Sequence, residues 1–309
     1  MREVMSELRE WLSEGEQVAL ATVVETWGSS PRPAGSRLVV TASGKMAGSV
    51  SNGCIEGAVF EVAQEVLQEG RGRLLEIGVA DELAFEAGLA CGGHIELWVE
   101  PAGPMHTRAL EALETGSPAL LATNLVTGEV KVEAGVPPFE LPRRNQDWFE
   151  EPLVRAPNMV IIGAIHIAIP LHHIAKTMGY TVTVVDARSQ FATRERFPVA
   201  DHIVVAWPDD AMQGMVLDRS SAIVILTHDS KFDLPALRFA LNSTAGYIGA
   251  IGSRKTSANR LAVLASEGIQ KRDLDRIHGP IGLDLGGRDA ETTALGIMAQ
   301  VVAVRFGKA

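Results

Sequence analysis

The second half of the sequence alternates buried strands with helices, and this alternation restricts the fold more than any other feature. The apolar run MVIIG ends at Gly163, a helical pattern follows, and GYTVTVVDARS carries the next strand to Asp186. Further strand-like runs follow at residues 202–206, 222–227 and 246–251, with helical segments between them. Alternation of this kind is typical of a parallel sheet with helices on both faces. We therefore predict a doubly wound α/β domain.

The order of strand, glycine turn, helix, strand and acid is that of a dinucleotide-binding unit. Asp186 ends the second strand, 23 positions after Gly163. The turn reads GAIHIA over residues 163–168, so Ile165 stands where the G-x-G-x-x-G pattern has its second glycine. A branched side chain there obstructs the approach of a pyrophosphate. The pattern predicts a Rossmann-like fold, while Ile165 argues against a bound nucleotide.

A ligand crevice in such a sheet lies beyond the carboxyl ends of the strands. Gly163 and Asp186 fall at that edge, and so does the segment GSRKTS before a predicted helix. Helix N-terminal amides, a hydroxyl and two cations suit a phosphate, so Ser253, Arg254 and Lys255 are candidate phosphate contacts. The alternative is a solvated, charged helix start.

The first half contains a glycine-rich loop, GSVSNGCIEG, around Cys54. Apolar residues at helical spacing follow at once, which predicts a helix that begins near Cys54. A thiol near the first turn of a helix faces unpaired backbone N–H groups, which favour negative charge. Glycines also let the backbone approach a ligand closely. The loop is predicted to present a sulfur ligand to an anionic molecule; the alternative is a tight turn with a buried cysteine.

Two further segments are weaker candidates. Cys91 precedes Gly92 and a second glycine, which again combines a sulfur with accessible backbone, although a plain turn into the next strand is the alternative. His94 follows, and a lone histidine is more often a surface or hydrogen-bonded residue than a ligand. The loop at 28–36 carries Arg32 and is either an anion-contacting segment or a surface turn.

Composition excludes several classes of protein. The 309 residues carry a net charge of −10, whereas broad nucleic-acid binding usually requires a basic face. The two cysteines, 37 positions apart, form neither a disulfide framework nor a zinc-site spacing. The sequence has no run of 18 apolar residues, and its first residues are charged and helical rather than a signal peptide. We therefore expect no membrane insertion and a cytoplasmic location.

Prolines interrupt every periodic pattern between residues 137 and 157. This predicts a smaller α+β domain at 1–140, a proline-rich linker at 141–157 and a Rossmann-like domain at 158–309.

Several segments together resemble the XdhC/CoxI family, the maturation factors of molybdenum hydroxylases such as xanthine dehydrogenase. These segments are GSSPRPAGSRLVV, GSVSNGCIEGAV, CGGHIELWVEP, VIIGAIHIA, VTVVDARSQFATRERFP, ILTHDSKFD, YIGAIGSRK and GPIGLDLGGR. The resemblance implies a chaperone that transiently binds the molybdenum cofactor (molybdopterin) and hands it to an apo-hydroxylase without catalytic turnover. Cys54 and Cys91 match the family's cysteine positions, which implies that both contact the metal.

The resemblance also implies contacts to the cofactor from Gly53, Glu56 and Gly92. The implied partners are an apo molybdenum hydroxylase, a cysteine desulfurase and a second copy of the chain. Family members usually have Gly-Ala-Gly-His in the Rossmann turn, from which Ile165 departs. Two alternatives stay open: an NAD(P)-dependent oxidoreductase that uses Asp186, and a protein scaffold with a vestigial nucleotide site.

Overall fold

The computed structural model describes residues 1–28, 32–78, 93–137 and 141–308. The chain divides into two compact units, Met1–Arg155 and Ala156–Ala309. Within the described residues, no helix is both long enough and apolar enough to cross a membrane.

The first unit contains a five-stranded antiparallel sheet in the order β3-β2-β1-β5-β4. Its elements are a 3-10 turn (Arg2–Val4), α1 (Met5–Ser13), β1 (Val18–Trp27), β2 (Arg37–Thr41), β3 (Met46–Gly48), α2 (Glu56–Glu69), β4 (Arg73–Ile77) and β5 (His94–Pro101). Val59, Ala63 and Val66 recur at helical spacing on α2, and all three are fully buried. They pack in one apolar cluster with residues of β1 and β5, so this cluster fixes the start of α2 beside the sheet.

A second, four-stranded antiparallel sheet completes this unit, in the order β7-β6-β9-β8. Its elements are α3 (Pro104–Thr115), β6 (Ala119–Asn124), β7 (Val130–Ala134), β8 (Arg143–Asn145) and β9 (Trp148–Leu153). Leu110 of α3 and Leu121 of β6 share a buried cluster with Leu8 of α1. The predicted α+β character of the N-terminal half is confirmed.

The structure differs from the predicted linker at 141–157. This segment contains β8 and β9, and β9 pairs along its length with β6. Phe149 and Leu153 are buried because they alternate along β9 and face the apolar clusters of the first unit. The prolines around this strand obscured its two-residue periodicity in the sequence. The boundary between the units lies at Arg155 and Ala156.

The second unit contains a six-stranded parallel sheet in the order β12-β11-β10-β13-β14-β15. Its strands are β10 (Asn158–Ile162), β11 (Thr181–Val185), β12 (His202–Val204), β13 (Ala222–Ile225), β14 (Tyr247–Ala250) and β15 (Ile277–His278). Its helices are α4 (Ala168–Thr177), α5 (Pro208–Met212), α6 (Ser230–Asn242), α7 (Arg254–Ser266), α8 (Lys271–Leu274) and α9 (Ala290–Arg305). This strand order, 3-2-1-4-5-6 in sequence terms, is that of the Rossmann fold.

Alternate residues of β10 face two different apolar clusters. Met159 and Ile161 pack with residues of α4 and α9, whereas Val160 and Ile162 pack with residues of α6 and α7. Helices therefore cover both faces of the sheet, which explains the continuous apolar runs of these strands. The predicted doubly wound α/β fold is confirmed.

Candidate functional site

The Cys54 loop, residues 49–55, connects the end of β3 to the start of α2. Cys54 lies two residues before the first helical residue, Glu56, and its thiol is free. Its side chain is half-buried and packs against the apolar cluster that contains Ile55 and Val59. The sulfur is thus held against the core on one side while part of its side chain stays accessible.

Glu56 holds this loop in place through hydrogen bonds to both of its carboxylate oxygens. Oε1 accepts from the Ser49 hydroxyl at 2.6 Å, the Val50 N–H at 3.1 Å and the Ser51 N–H at 2.9 Å. Oε2 accepts from the Gly53 N–H at 2.9 Å and from the Ser51 hydroxyl. The carboxylate is buried, and five donors from the loop surround it. Glu56 is therefore the main acceptor that holds the residues before Cys54, and the Ser49 and Ser51 hydroxyls add bonds from the Asn52 and Ile55 N–H groups.

These hydrogen bonds determine the charge of Glu56. Burial alone would raise the pKa of its carboxyl, but the hydroxyls of Ser49 and Ser51 and the loop amides lower that pKa to about 2. A carboxylate that accepts several N–H and O–H bonds is stabilised in its ionised form. Glu56 is thus an anion that organises the loop. Its direct contact with a cofactor stays a prediction.

The backbone beside Cys54 is open to a ligand. Asn52 and Gly53 have left-handed φ angles of 60° and 104°, which turn the chain sharply before the thiol. A Cβ atom added at Gly53 or Gly57 would meet no atom within 4 Å. In addition, no side chain caps the N-terminus of α2. The Ile55 N–H already donates to the Ser51 hydroxyl, and the ionised Glu56 stands in the first turn. The amides of Gly57 and Ala58, with the helix dipole, are left to favour a further anion in this space.

The other candidates of the first unit are placed less completely. Cys91 and Gly92 lie outside the described residues, so the proposed pairing of two cysteines on one metal stays a prediction. Arg32 forms an ion pair with Glu3, whose other oxygen accepts the N–H of Arg37 at 2.5 Å. The Arg32 guanidinium is therefore engaged within the first unit. A contact between Arg32 and a cofactor is also a prediction.

Gly163 makes the tight turn after β10 in the second unit. Its φ is 102°, its N–H donates to the Val185 carbonyl at 2.8 Å, and an added Cβ would lie 2.7 Å from Cγ2 of Thr227. A glycine is therefore required for packing as well as for conformation. Helix α4 begins at Ala168, and Ile165 packs half-buried against the core cluster.

Asp186 follows β11, where an acid in dinucleotide-binding proteins binds the ribose hydroxyls. Here its carboxylate accepts the Ala164 N–H at 2.8 Å, the Arg188 N–H at 2.9 Å, and the Arg188 guanidinium at 2.9 and 2.7 Å. Burial would raise the pKa of Asp186, but the hydrogen bonds from Arg188 and Ala164 hold it below its usual value. Both oxygens are already engaged within the unit.

Arg188 is the partner that sequence analysis missed. The tripeptide DAR carries the signal, since a side chain two positions after the acid can reach back to it. The guanidinium also lies 4.3 Å from the centroid of the Phe191 ring, a cation–π contact that orients it.

Ser253 is the N-cap of α7. Its hydroxyl accepts the Thr256 N–H at 3.1 Å, so it already satisfies one of the free helix amides. Arg254 and Lys255 are exposed, and neither forms an ion pair with a described residue. The geometry suits a phosphate at this helix start, and the contact stays a prediction.

The two units together combine a Rossmann-like sheet with a glycine-rich loop that carries a half-buried thiol at a helix start. Matches to family models assign both parts: the XdhC and CoxI family model matches residues 11–78, and the XdhC Rossmann domain model matches residues 159–301. The chain belongs to the XdhC and CoxI family, which confirms the resemblance.

Individual relatives cover nearly the whole chain. The molybdenum cofactor insertion chaperone PaoD of Escherichia coli K12 is 30% identical over 305 residues, 96% of this chain and 86% of the relative. A probable xanthine dehydrogenase subunit of Bacillus subtilis strain 168 is 25% identical, with 95% of each chain covered. A crystal structure of a xanthine dehydrogenase from Bacillus halodurans has the same fold, with a TM-score of 0.83, 23% identity and coverage of 99% and 96%.

Proposed function

We propose that this chain is a cytoplasmic maturation factor that binds the molybdenum cofactor and delivers it to an apo-hydroxylase of the xanthine dehydrogenase type. It acts by transient binding and does not turn over a substrate. The name of PaoD as a molybdenum cofactor insertion chaperone and that of the Bacillus subtilis relative support the proposal.

The observation that carries the proposal is the geometry of the Cys54 loop. Molybdenum is thiophilic, and the cofactor's phosphate is anionic. Cys54 offers a partly accessible thiol, and the uncapped start of α2 offers backbone N–H groups to an anion. Among the described residues, no neighbouring side chain covers the backbone at Gly53 and Gly57, so a ligand can approach it. One loop thus combines a sulfur ligand, backbone amides and accessible backbone, and these three features fit the molybdenum cofactor.

Preorganisation of the loop suits a carrier. Because Glu56 already fixes the residues before Cys54, binding does not have to order them. A single thiolate contact is also readily exchanged for a ligand in a recipient protein. Cys91 and Gly92 join the proposal on sequence pattern alone.

The proposal is tested on protein purified from cells that make the cofactor. We expect molybdenum and pterin to co-purify, and bound cofactor to slow the alkylation of Cys54. Cys54→Ser is the matched variant, since serine keeps the size of the side chain but removes the soft donor. Molybdenum and pterin at background level in the wild-type protein, with equal alkylation in cofactor-free and cofactor-sufficient preparations, would exclude a carrier.

We also propose which molecules bind this chain. An apo molybdenum hydroxylase, a cysteine desulfurase and a second copy of the chain are expected to bind. Co-purification of each candidate with the tagged chain, and the mass of the chain in solution by analytical ultracentrifugation, test the three separately.

An NAD(P)-dependent oxidoreductase is the second candidate, favoured by the Rossmann strand order of the second unit. Ile165 and the engaged carboxylate of Asp186 argue against it. A protein scaffold with a vestigial nucleotide site is the third candidate. Nucleotide titration separates the oxidoreductase from the other two, and cofactor content separates the carrier from the scaffold.

A further inference from the structure

Three acidic side chains lie side by side across neighbouring strands of the first sheet. Glu96 of β5 is paired in register with Glu25 of β1 on one side and with Glu76 of β4 on the other. Directly opposed residues of antiparallel strands project to the same face, and like charges in that arrangement are destabilising. The row therefore needs positive charge.

Within the described residues, one cation serves this row. Nη1 of Arg144 lies 2.6 Å from Oε2 of Glu96 and 3.0 Å from Oε2 of Glu25. Glu76 forms no ion pair with a described residue. One guanidinium against three carboxylates leaves a deficit of positive charge, and the deficit lies on the Glu76 side of Glu96.

A histidine lies next to that side of the row. His94 is two residues before Glu96 on β5 and so shares its face. Its ring packs against Trp27, with the ring centroids 5.0 Å apart. A Cβ atom added at Gly78 would lie 2.6 Å from Nδ1 of His94, so the glycine makes room for the imidazole. The imidazole ring of His94 therefore packs against Trp27 on one side and fits into the space beside Gly78 on the other.

One carboxylate oxygen each from Glu76 and Glu96 and one ring nitrogen of His94 lie within 4.8 Å of one another. We propose that these three residues bind a divalent transition-metal ion such as Zn²⁺. Imidazole favours transition metals over Mg²⁺ or Ca²⁺, and carboxylates supply the negative charge. Three protein ligands leave a coordination position for water or a small anion. The ion completes the charge balance of the row and ties β4 to the start of β5.

This site shares no residue with the Cys54 loop and does not depend on the proposed maturation role. The test uses the full-length Cys54→Ser/Cys91→Ser protein, because free thiols bind Zn²⁺ themselves. After chelator treatment and its removal, we expect calorimetry to show one saturable Zn²⁺ site per chain. Zn²⁺ should also raise the Tm, since a ligand that binds the folded state stabilises it. Mn²⁺ should bind more weakly.

Glu76→Gln and His94→Gln, each in the same background, should weaken Zn²⁺ binding by at least about tenfold, because even indirect partners of a metal contribute that much. Glu133→Gln on β7 is the matched control, an exposed strand glutamate outside the row, and should bind as the parent does. Circular dichroism checks that each variant is folded. The proposal is overturned if the parent shows no saturable Zn²⁺ binding, or if folded Glu76→Gln and His94→Gln both bind Zn²⁺ like the parent.

Discussion

The Cys54 loop and the Gly163 turn are both stabilised by a carboxylate, but the carboxylate comes from a different part of the fold in each. Each connects a strand to a helix, and neither α2 nor α4 has a side-chain cap at its N-terminus. In each case a buried carboxylate accepts at least one backbone N–H of the connection. Glu56 comes from the helix that follows its loop, whereas Asp186 comes from the end of the neighbouring strand.

The position of the carboxylate in the chain determines which groups of the connection stay accessible to a ligand. Glu56 accepts the N–H groups of Val50, Ser51 and Gly53, all of which precede Cys54, and leaves the free thiol of Cys54 to a ligand. Asp186 instead takes the N–H of Ala164, an amide of the turn that would face a pyrophosphate. Both carboxylates therefore take backbone N–H groups of their connection. The difference is that the Cys54 loop keeps a free thiol beside them, whereas the Gly163 turn loses an amide at the position of a pyrophosphate.

The largest expected effect follows from removing the sulfur. Cys54→Ser should lower activation of an apo-hydroxylase by more than about tenfold, because loss of a direct ligand should exceed loss of an outer-shell partner. The Tm should change little, since the serine keeps the size of the side chain. A reconstituted activation assay beside a melting curve measures both.

The opposite pattern would remove Cys54 from the proposed site. A variant with a lower Tm but full activation would show that the cysteine contributes packing against the α2 cluster and nothing more. The Cys54 loop would then be a structural connection only.

The second effect concerns the carboxylate that holds the loop. Glu56→Gln should lower the free energy of unfolding by about 2 kcal/mol at pH 7, because buried donors lose a charged acceptor. The pKa of Glu56 is lowered to about 2 in the folded chain from an ordinary value of 4.5. Its ionised form therefore contributes stability that is complete above pH 4.5 and is lost as the pH falls towards 2.

Denaturant unfolding at several pH values measures this contribution. The difference between wild type and Glu56→Gln should shrink as the pH falls from 4.5 to 2. Glu61→Gln, an exposed change on the same helix, is the control and should show neither the loss nor its pH dependence. A constant difference across that range would mean that Glu56 is not the anion that organises the loop.

Periodic apolar patterns predicted the fold of the second unit well, since strands buried on both faces leave continuous runs such as MVIIG. The pattern failed at residues 141–157, because prolines hid the alternation of Phe149 and Leu153 in β9. Burial there depends on pairing with β6, a contact between distant residues that local sequence does not display.

The candidate site was predictable in its components and less so in its roles. The glycines and the following helix identified the Cys54 loop. That Glu56 serves as the acceptor for five loop donors depends on side-chain geometry, which a motif does not contain. Likewise, the acid at 186 was recognisable, whereas its engagement by Ala164 and Arg188 required the structure.

The third prediction tests the Gly163 turn. Wild-type protein should show no saturable binding of NAD or NADP by calorimetry at millimolar nucleotide, because Ile165 and the Asp186–Ala164 hydrogen bond both oppose it. Ile165→Gly should bind nucleotide saturably, with a Kd at least about tenfold below the highest concentration at which the wild type shows no binding, a gain of at least about 1.4 kcal/mol. Micromolar binding by the wild-type chain would refute the steric argument and favour the oxidoreductase.

The smallest effect compares a capped helix start with the uncapped ones. Ser253→Ala should lower the free energy of unfolding by about 1 kcal/mol, because the Thr256 N–H loses its acceptor. Ser266→Ala at the other end of α7 is the matched control, since its exposed hydroxyl only donates to the Val263 carbonyl. Denaturant unfolding of the two variants measures the cap. Equal stability of both would show that the cap contributes nothing.

Cofactor content of the same variants then decides the role of this helix start. A phosphate cradle requires that Ser253→Ala and Lys255→Ala each retain less molybdenum and pterin than wild type, because each removes a donor to the anion. If Ser253 acts only as a helix cap, Ser253→Ala should lose stability, and both variants should keep the molybdenum and pterin content of the wild type. Reduced molybdenum and pterin content in both variants would indicate a second anion site, in addition to the one proposed at α2. The presence or absence of a side-chain cap would then not distinguish a ligand-binding helix start from a structural one.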